Sequence, residues 1–487
     1  MSLARPGTGK TQKAMYKTRR WISLGARVLI AVPTVQLADQ IFENLSDLKP
    51  IKIDYREKLS TLARLNEYLH PHSGHDLVIC QQASFHQCDP KLLAGWKIII
   101  DELPMPMQPH AITIKKTQLD QLPYLNIDDN GRLFITEKCK DKAREWASGP
   151  AKSENNKFLS PVLSKEAQDF YKAVLDDIDV YVTSYGTSDN RIVYYSEELG
   201  FFKCFAECSE VHILSATWNG SLFAWFTKAN GFSVAISDLT PEKRPNHHQS
   251  IKIYPMLQDS QCSKTILSSY TEQEITPSKT ITTQNIQILA NTVDSVLNDN
   301  DNCLLFVQSW ANLQISSKFK TCGMDSRGLN NLSSSSTVMC MFHGNHVTTA
   351  SSCLKRLAEK YEMTYESLRD AWTQTFLYDA TLQNVYRCSL RNQDSTVPVT
   401  LFVQTNSVAN YLKDMYLHDA VIDNRYLKSF GQPRIMGRKP NPQRETAIRL
   451  LENGHTIREV AEILTIPVTT VKNYKSSLNQ RLSAHEV

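Results

Sequence analysis

Short, unbroken apolar runs separated by amphipathic stretches set the rhythm of this chain. "RVLIAVPT" (Arg27–Thr34), "HDLVICQQ" (His75–Gln82), "WKIIIDELP" (Trp96–Pro104) and "EVHILSAT" (Glu210–Thr217) each hold an apolar centre of strand length without polar alternation. A strand of that kind has both faces buried, the condition inside a parallel sheet covered by helices. The helices expected beside them are Gln12–Leu24 and Val35–Leu45. The alternation then starts afresh. It runs through "SIKIYPM" (Ser250–Met256), a helix around Thr283–Leu297, "NCLLFVQS" (Asn302–Ser309), "STVMCMF" (Ser336–Phe342), helices across Ser352–Arg391 and "PVTLFVQT" (Pro398–Thr405). The fold class predicted is α/β, with two tandem parallel-sheet domains over residues 1–240 and 241–430. An insertion at about 105–208 interrupts the first, and "DDNGRLFIT" within it marks a hairpin around Asn130-Gly131. Residues 431–441, with two prolines and two glycines, read as a linker to a small all-α domain at 442–487.

Composition narrows the class. A chain of 487 residues is too long for one core, and domains run to about 150 residues each. Its 41% hydrophobic and 21% charged residues are ordinary for a globular protein. No apolar run reaches the roughly 18–20 residues of a membrane span, and Lys10, Lys13, Lys17, Arg19 and Arg20 break any leader-like stretch. Eleven cysteines without a paired framework fit a reducing, cytoplasmic setting. Cys204 and Cys208, with His212 nearby, lack a fourth ligand at a usual spacing and read as buried thiols. The net charge of +4 is local, because Arg434–Val487 holds nine Lys/Arg against five Asp/Glu and so carries the whole excess. An anionic partner is expected there.

"ARPGTGKT" (Ala4–Thr11) fits a phosphate-cradling loop. Glycines let backbone N–H groups approach phosphate oxygens where a helix begins. Gly7, Thr8 and Gly9 would supply that backbone, Lys10 would meet the outer phosphates, and Thr11 would hold magnesium. The supporting strand can include at most Met1–Ala4, against about five or six residues for a typical strand. Either a stub strand suffices or the chain begins downstream of its natural start. Asp101 and Glu102, ending an Ile-rich strand, supply the other half. The first can hold magnesium, and the second can position and deprotonate an attacking water.

In order along the chain, "ARPGTGKT", "VLIAVPT", "DELP", "LSAT", "DSRGLN" and "QNVYRCSLR" resemble the motif series of superfamily 2 helicases, the DEAD/DEAH-box-like group with two RecA-like domains. The resemblance spans Ala4 to Thr405 apart from the insertion. It implies ATP and Mg2+ as cofactors, with Lys10, Thr11 and Asp101 holding them and Glu102 as catalytic base. Pro33 and Thr34 would open a loop that touches the nucleic-acid backbone, and Ser215 and Thr217 would link hydrolysis to movement. Arg327, Gly328 and Asn330 would make second-domain contacts to nucleotide and backbone. Gln383, Arg387 and Arg391 resemble the last motif, whose arginines reach the γ-phosphate across the interdomain cleft. Three departures stand out: Asp-Glu-Leu-Pro assigns no subgroup, Asn330 replaces a common aspartate, and the two arginines are four apart rather than three. On a helix that spacing would put Arg387 and Arg391 on one face.

The tail "PQRETAIRLLENGHTIREVAEILTIPVTTVKNYKSSLNQRL" reads as three helices. Ala447, Ile448, Leu450 and Leu451 form an apolar stripe, Thr456 with Glu459 forms a capping box, and Ala461 is small where two helices cross. Thr469, Thr470, Lys472, Asn473 and Lys475 decorate the outer side of the last helix, with Val471 inward. This resembles helix-turn-helix domains of the resolvase/invertase type, which implies a third helix in the major groove. The preceding Arg438 and Lys439 would then serve as a minor-groove arm. Together the motifs imply an ATP-dependent DNA helicase with a DNA-docking tail, suited to phage or plasmid replication or recombination. Nucleic acid, DNA favoured, is the partner, and no membrane is implied. A duplex translocase without strand separation and an ATP-gated DNA-binding regulator are the alternatives.

Overall fold

The computed structural model describes residues 1–57, 59–148, 165–184, 189–242, 247–276, 279–299, 301–324, 332–346, 350–392, 394–431, 443–453, 455–464, 466–472 and 474–475. The chain begins with β1 (Ser2–Leu3), β2 (Arg27–Val32), β3 (Ile51–Ile53), β4 (Leu77–Gln81) and β5 (Trp96–Asp101). An antiparallel excursion follows, made of β6 (Met107–Lys115), β7 (Asn126–Ile127), β8 (Arg132–Phe134), β9 (Val180–Ser184) and β10 (Asn190–Glu198), before β11 (Glu210–Ser215) returns to the first sheet. That sheet has the order β1-β11-β5-β2-β4-β3 and is parallel throughout. Val28–Val32 and Ile98–Ile100 are fully or almost fully buried, which is why those runs carry no polar alternation.

The excursion is a sheet of its own, ordered β6-β10-β9-β8-β7, over a small core of Leu133, Phe170, Val180 and Tyr195. The hairpin read at Asn130-Gly131 is present: Ile127 pairs with Leu133, and Gly131 takes φ 76°.

The second lobe holds β12 (Ile251–Leu257), the hairpin β13 (Tyr270–Thr276) and β14 (Lys279–Gln284), then β15 (Cys303–Val307), β16 (Phe319–Gly323), β17 (Thr337–Met341), β18 (Val399–Thr405) and β19 (Val421–Ile422). Its main sheet runs β16-β15-β17-β18-β12-β19, again parallel. The two sheets give the tandem RecA-like architecture of the α/β class. The helix expected around Thr283–Leu297 is shorter, Asn285–Asp294, because the β-branched "KTITTQ" before it pairs as β14. The helices expected across Ser352–Arg391 are Ala350–Lys360, Tyr365–Thr373, a π-helical turn Gln374–Asp379 and Ala380–Val385.

Gly431–Val487 is a separate compact unit. It contains helices Arg444–Glu452 and Ile457–Ile463 and further helical residues at 468–472. Ala447, Val460, Ala461 and Val471 form its core. The capping box is as read: Thr456 N donates to Glu459 Oε2 at 2.8 Å, and Glu459 N donates to Thr456 Oγ1 at 3.3 Å. No helix among the described residues is long and apolar enough to cross a membrane.

Candidate active site

The glycine loop hangs from the two-residue strand β1, which pairs with Leu214 and Ser215 of β11. Ala4 N extends the pairing to Ser215 O at 3.1 Å, and Ser2 Oγ donates to Leu239 O at 3.0 Å. The stub is therefore anchored on both sides. Gly7 and Gly9 take φ 79° and 85°, the left-handed conformation that folds the loop back on itself. Thr8 Oγ1 donates to Arg5 O at 2.8 Å and closes the turn. The helix Lys10–Ser23 starts directly after Gly9, with its first N–H groups facing the loop.

Lys10 bends into that loop, its Nζ donating to Ala4 O at 2.5 Å and Arg5 O at 3.0 Å. Burial pushes its pKa down to about 8, against the pull of Asp101 and Glu102 and with the repulsion of Arg391. Thr11 Oγ1 donates to Asp101 Oδ2 at 2.9 Å. Burial raises the Asp101 carboxyl above its usual range, opposed by the Thr11 bond and the Lys10 charge.

Glu102 adopts φ 66°, a conformation that costs a non-glycine residue about 1–2 kcal/mol. Its N–H donates to Leu214 O at 2.8 Å. Gln82 Nε2 fixes the same corner by donating to Asp101 O at 2.8 Å and Glu102 O at 3.1 Å. The strained corner turns Glu102 out of the sheet and into the cleft.

From the second lobe, buried Arg387 brings Nη2 to 3.9 Å from Glu102 Oε1. Arg391 lies over the glycine loop, where a Cβ on Gly7 would stand 3.1 Å from its carbonyl oxygen. The two arginines do not share a helix face. The helix ends at Val385, Cys388 is extended, and Arg391 closes a short 3₁₀ turn. The reason is local: Cys388 Sγ accepts from Leu390 N at 3.5 Å, which caps the short turn instead of continuing the helix. Both arginines still reach one cleft of about 470 Å³, lined also by Gln383 and Tyr386 and by residues of the loop and acid pair.

Ser215 and Ala216 edge this cleft, while Thr217 lines a neighbouring cavity on the lobe seam. Thr34 is not in the cleft; it caps the helix Val35–Asn44, accepting from Leu37 N at 3.3 Å. Arg327, Gly328 and Asn330 lie outside the described residues, as do Arg438, Lys439 and Asn473. In the tail, Thr469, Lys472 and Lys475 are exposed and Thr470 is half-buried. Sequence reasoning missed Gln82 and Tyr386. Gln82, a polar residue just after an apolar strand, carried a usable signal, whereas Tyr386 carried none apart from its neighbour Arg387.

Among the described residues no group of three or more His, Cys, Asp or Glu side chains is placed to hold a metal ion. Asp101 and Thr11 nevertheless offer two oxygen donors beside the glycine loop. That suits a magnesium ion whose remaining ligands come from polyphosphate and water.

Residues 437–478 match the family described as the helix-turn-helix domain of resolvase. The tail is thus similar to the helix-turn-helix of resolvases. A search of curated proteins finds no match. Among solved structures, Xpd4 of S. tokodaii is similar at 12% identity and TM-score 0.46, over 88% of this chain and 95% of that one. An XPD helicase has 12% identity and TM-score 0.42, over 87% and 95%. A Dbp5 variant of S. cerevisiae bound to RNA and ADP BeF3 has 10% identity and TM-score 0.32, over 87% and 84%. Likenesses this distant assign no activity, and what the cleft does has to be argued from its own residues.

Proposed function

We propose that the chain is an ATP-dependent nucleic-acid motor of the superfamily 2 helicase type, docked on duplex DNA by its tail. The observation that carries this reading is the approach of Arg387, from the second lobe, to Glu102 beside the lysine loop of the first. A hydrolytic site divided between two lobes is complete only when they are together, which ties turnover to their movement.

The residues divide the work as follows. N–H groups of the Gly7–Lys10 turn bind phosphate oxygens at a helix start, and the Lys10 ammonium neutralises their charge. Magnesium held by Thr11 and Asp101 would, when bound, neutralise the β/γ-phosphate oxygens. Glu102 accepts the proton of the attacking water, and its turned-out backbone aims the carboxylate at the cleft rather than the sheet. Arg387 stabilises negative charge that grows on the transferred phosphoryl group, and Arg391 adds a second positive charge above the loop. In the tail, exposed Thr469, Lys472 and Lys475 on the third helix supply polar and basic contacts to duplex DNA.

ATP hydrolysis measured with and without single- and double-stranded DNA and RNA tests the reading. Stimulation by nucleic acid is expected, with a loss of about 10²–10⁴-fold in Glu102→Gln and of comparable size in Lys10→Ala. Tight site-specific DNA binding with no turnover in the intact chain would instead establish the gated regulator. Strand displacement on a tailed duplex distinguishes a helicase from a translocase.

A further inference from the structure

The segment that joins the two lobes is tied to the cleft at both ends. Where it leaves the first lobe, Leu239 is buried in one cluster with Val28, Ile30 and Leu214. Asp238 pairs with Lys17 at 2.7 Å, and Lys13 Nζ donates to the Thr240 carbonyl. Both lysines belong to the helix that starts at the glycine loop. Where the segment enters the second lobe, Ser250 O accepts from Val399 N at 2.8 Å, and β12 begins one residue later. Gln249, just before that fixed point, is only 5% exposed.

Two side chains of the segment reach the stretch that carries the arginines. His247 Nε2 is hydrogen-bonded to the Tyr386 hydroxyl at 3.0 Å. Gln249 Nε2 donates to Ser389 O at 2.8 Å and to Asn392 O at 3.4 Å. Arg387 and Arg391 both fall between Tyr386 and Asn392, so the two ties bracket them. The stretch has little order of its own, because its helix has ended at Val385 and only the short turn Ser389–Arg391 follows. The other polar atoms of the pair, Gln249 Oε1 and His247 Nδ1, are buried without a partner among the described residues. Buried polar groups are normally satisfied. What keeps these two side chains in place therefore lies in the bonds they do make.

We propose that Gln249 is a positioning residue for the cleft, its amide holding the turn that sets Arg387 and Arg391 over the glycine loop, with His247 bracing Tyr386 to the same end. This deepens the hydrolytic reading of the cleft and rests on it. Clearance there is small: a Cβ on Gly7 would stand 3.1 Å from Arg391 O, and Arg387 comes within 3.9 Å of Glu102. A guanidinium stabilises growing charge only where that charge appears. A misplacement of about 1 Å can cost about 100-fold in rate. A short turn cannot hold such a tolerance unaided, and the amide behind it supplies the constraint. The same segment is pinned at its start to the helix of Lys10, so the arginines are held relative to the half of the site they serve.

The test measures binding of two probes to the full chain: ADP with magnesium, and the same with aluminium fluoride, which mimics the transferred phosphoryl group. Gln249→Leu keeps the buried bulk but cannot donate. Its affinity for the fluoride complex is expected to fall by about 10–100-fold, and kcat for ATP with it. Affinity for ADP should stay within about twofold, because the glycine loop is untouched and ADP lacks the group the arginines meet. Equal losses for both probes, or none for either, overturn the proposal. His247→Ala should lose affinity for the fluoride complex in the same selective way. His247→Gln, whose amide nitrogen can reach the place of Nε2, should recover it; a His247→Gln no better than His247→Ala overturns the part given to His247. With Arg387→Ala and Arg391→Ala already in place, Gln249→Leu should cost nothing further, since it acts through them. A further loss in that background overturns the proposal. A wild type that binds the fluoride complex no more tightly than ADP fails earlier, and refutes the hydrolytic reading of the cleft itself.

Discussion

Lys10 carries the most consequential charge in the cleft. Its pKa of about 8 lies below the ordinary lysine value of 10.5 because burial disfavours the ammonium. The charged form therefore costs the free protein stability below pH 8, and that cost fades as pH rises toward 10.5. Phosphate favours the opposite form, so above pH 8 the free protein must take up a proton to bind nucleotide. Affinity for ATP is expected to fall by up to about tenfold per pH unit beyond that point. Calorimetry in buffers of different ionisation enthalpy should read proton uptake at pH 9 and little at pH 7. That Lys10, Thr11, Asp101 and Glu102 line one cleft was legible in the sequence, because a glycine loop opening a helix and acids ending a buried strand fall at the same edge of a parallel sheet. The backbone that aims them was not: the left-handed turn at Glu102 and the Gln82 bonds behind it depend on contacts from β11 and β4.

At the scale of elements, the glycine loop and the turn carrying Arg391 are fitted to each other. A Gly7→Ala side chain would meet the Arg391 carbonyl at 3.1 Å in a backbone held at φ 79°. Strain of about 1–3 kcal/mol is expected. It should appear as a lower urea midpoint together with weaker nucleotide binding. Buried strands were readable because burial on both faces leaves an unbroken apolar run. The excursion was harder, since strands such as Asn190–Glu198 mix buried Val193 and Tyr195 with half-buried Arg191 and Glu197. Periodicity also identified the apolar stripe of Ala350–Lys360 but could not say which core receives it. A stripe reports that a helix is covered, not by what.

For the whole molecule, the tail is a compact unit apart from the lobes. Ending the chain after Phe430 should therefore preserve ATP hydrolysis stimulated by single strands. It should also weaken duplex DNA binding and flatten its salt dependence, because fewer phosphates are neutralised. Titrations of both forms across salt concentrations check this. The tail's fold was the plainest part of the sequence, where a short basic module with a capping box and a small crossing residue stands on its own. The contact between the lobes was the least plain, because it depends on pairs such as Arg387 with Glu102 and the Tyr416 hydroxyl with the Ala216 carbonyl. These lie hundreds of residues apart or on opposite sides of a seam.

The helix pair Ala350–Thr373 has a consequence for how the protein is made. Its residues complete the cluster around Phe202, Phe223, Trp225 and Phe226, yet they leave the ribosome only after most of the second sheet has been synthesised. Until then the earlier lobe holds an aromatic surface with nothing to cover it, a risk for aggregation during translation. The first lobe's core is complete only with residues from the later half, so a gene cut between the halves is expected to yield a first half with an open core.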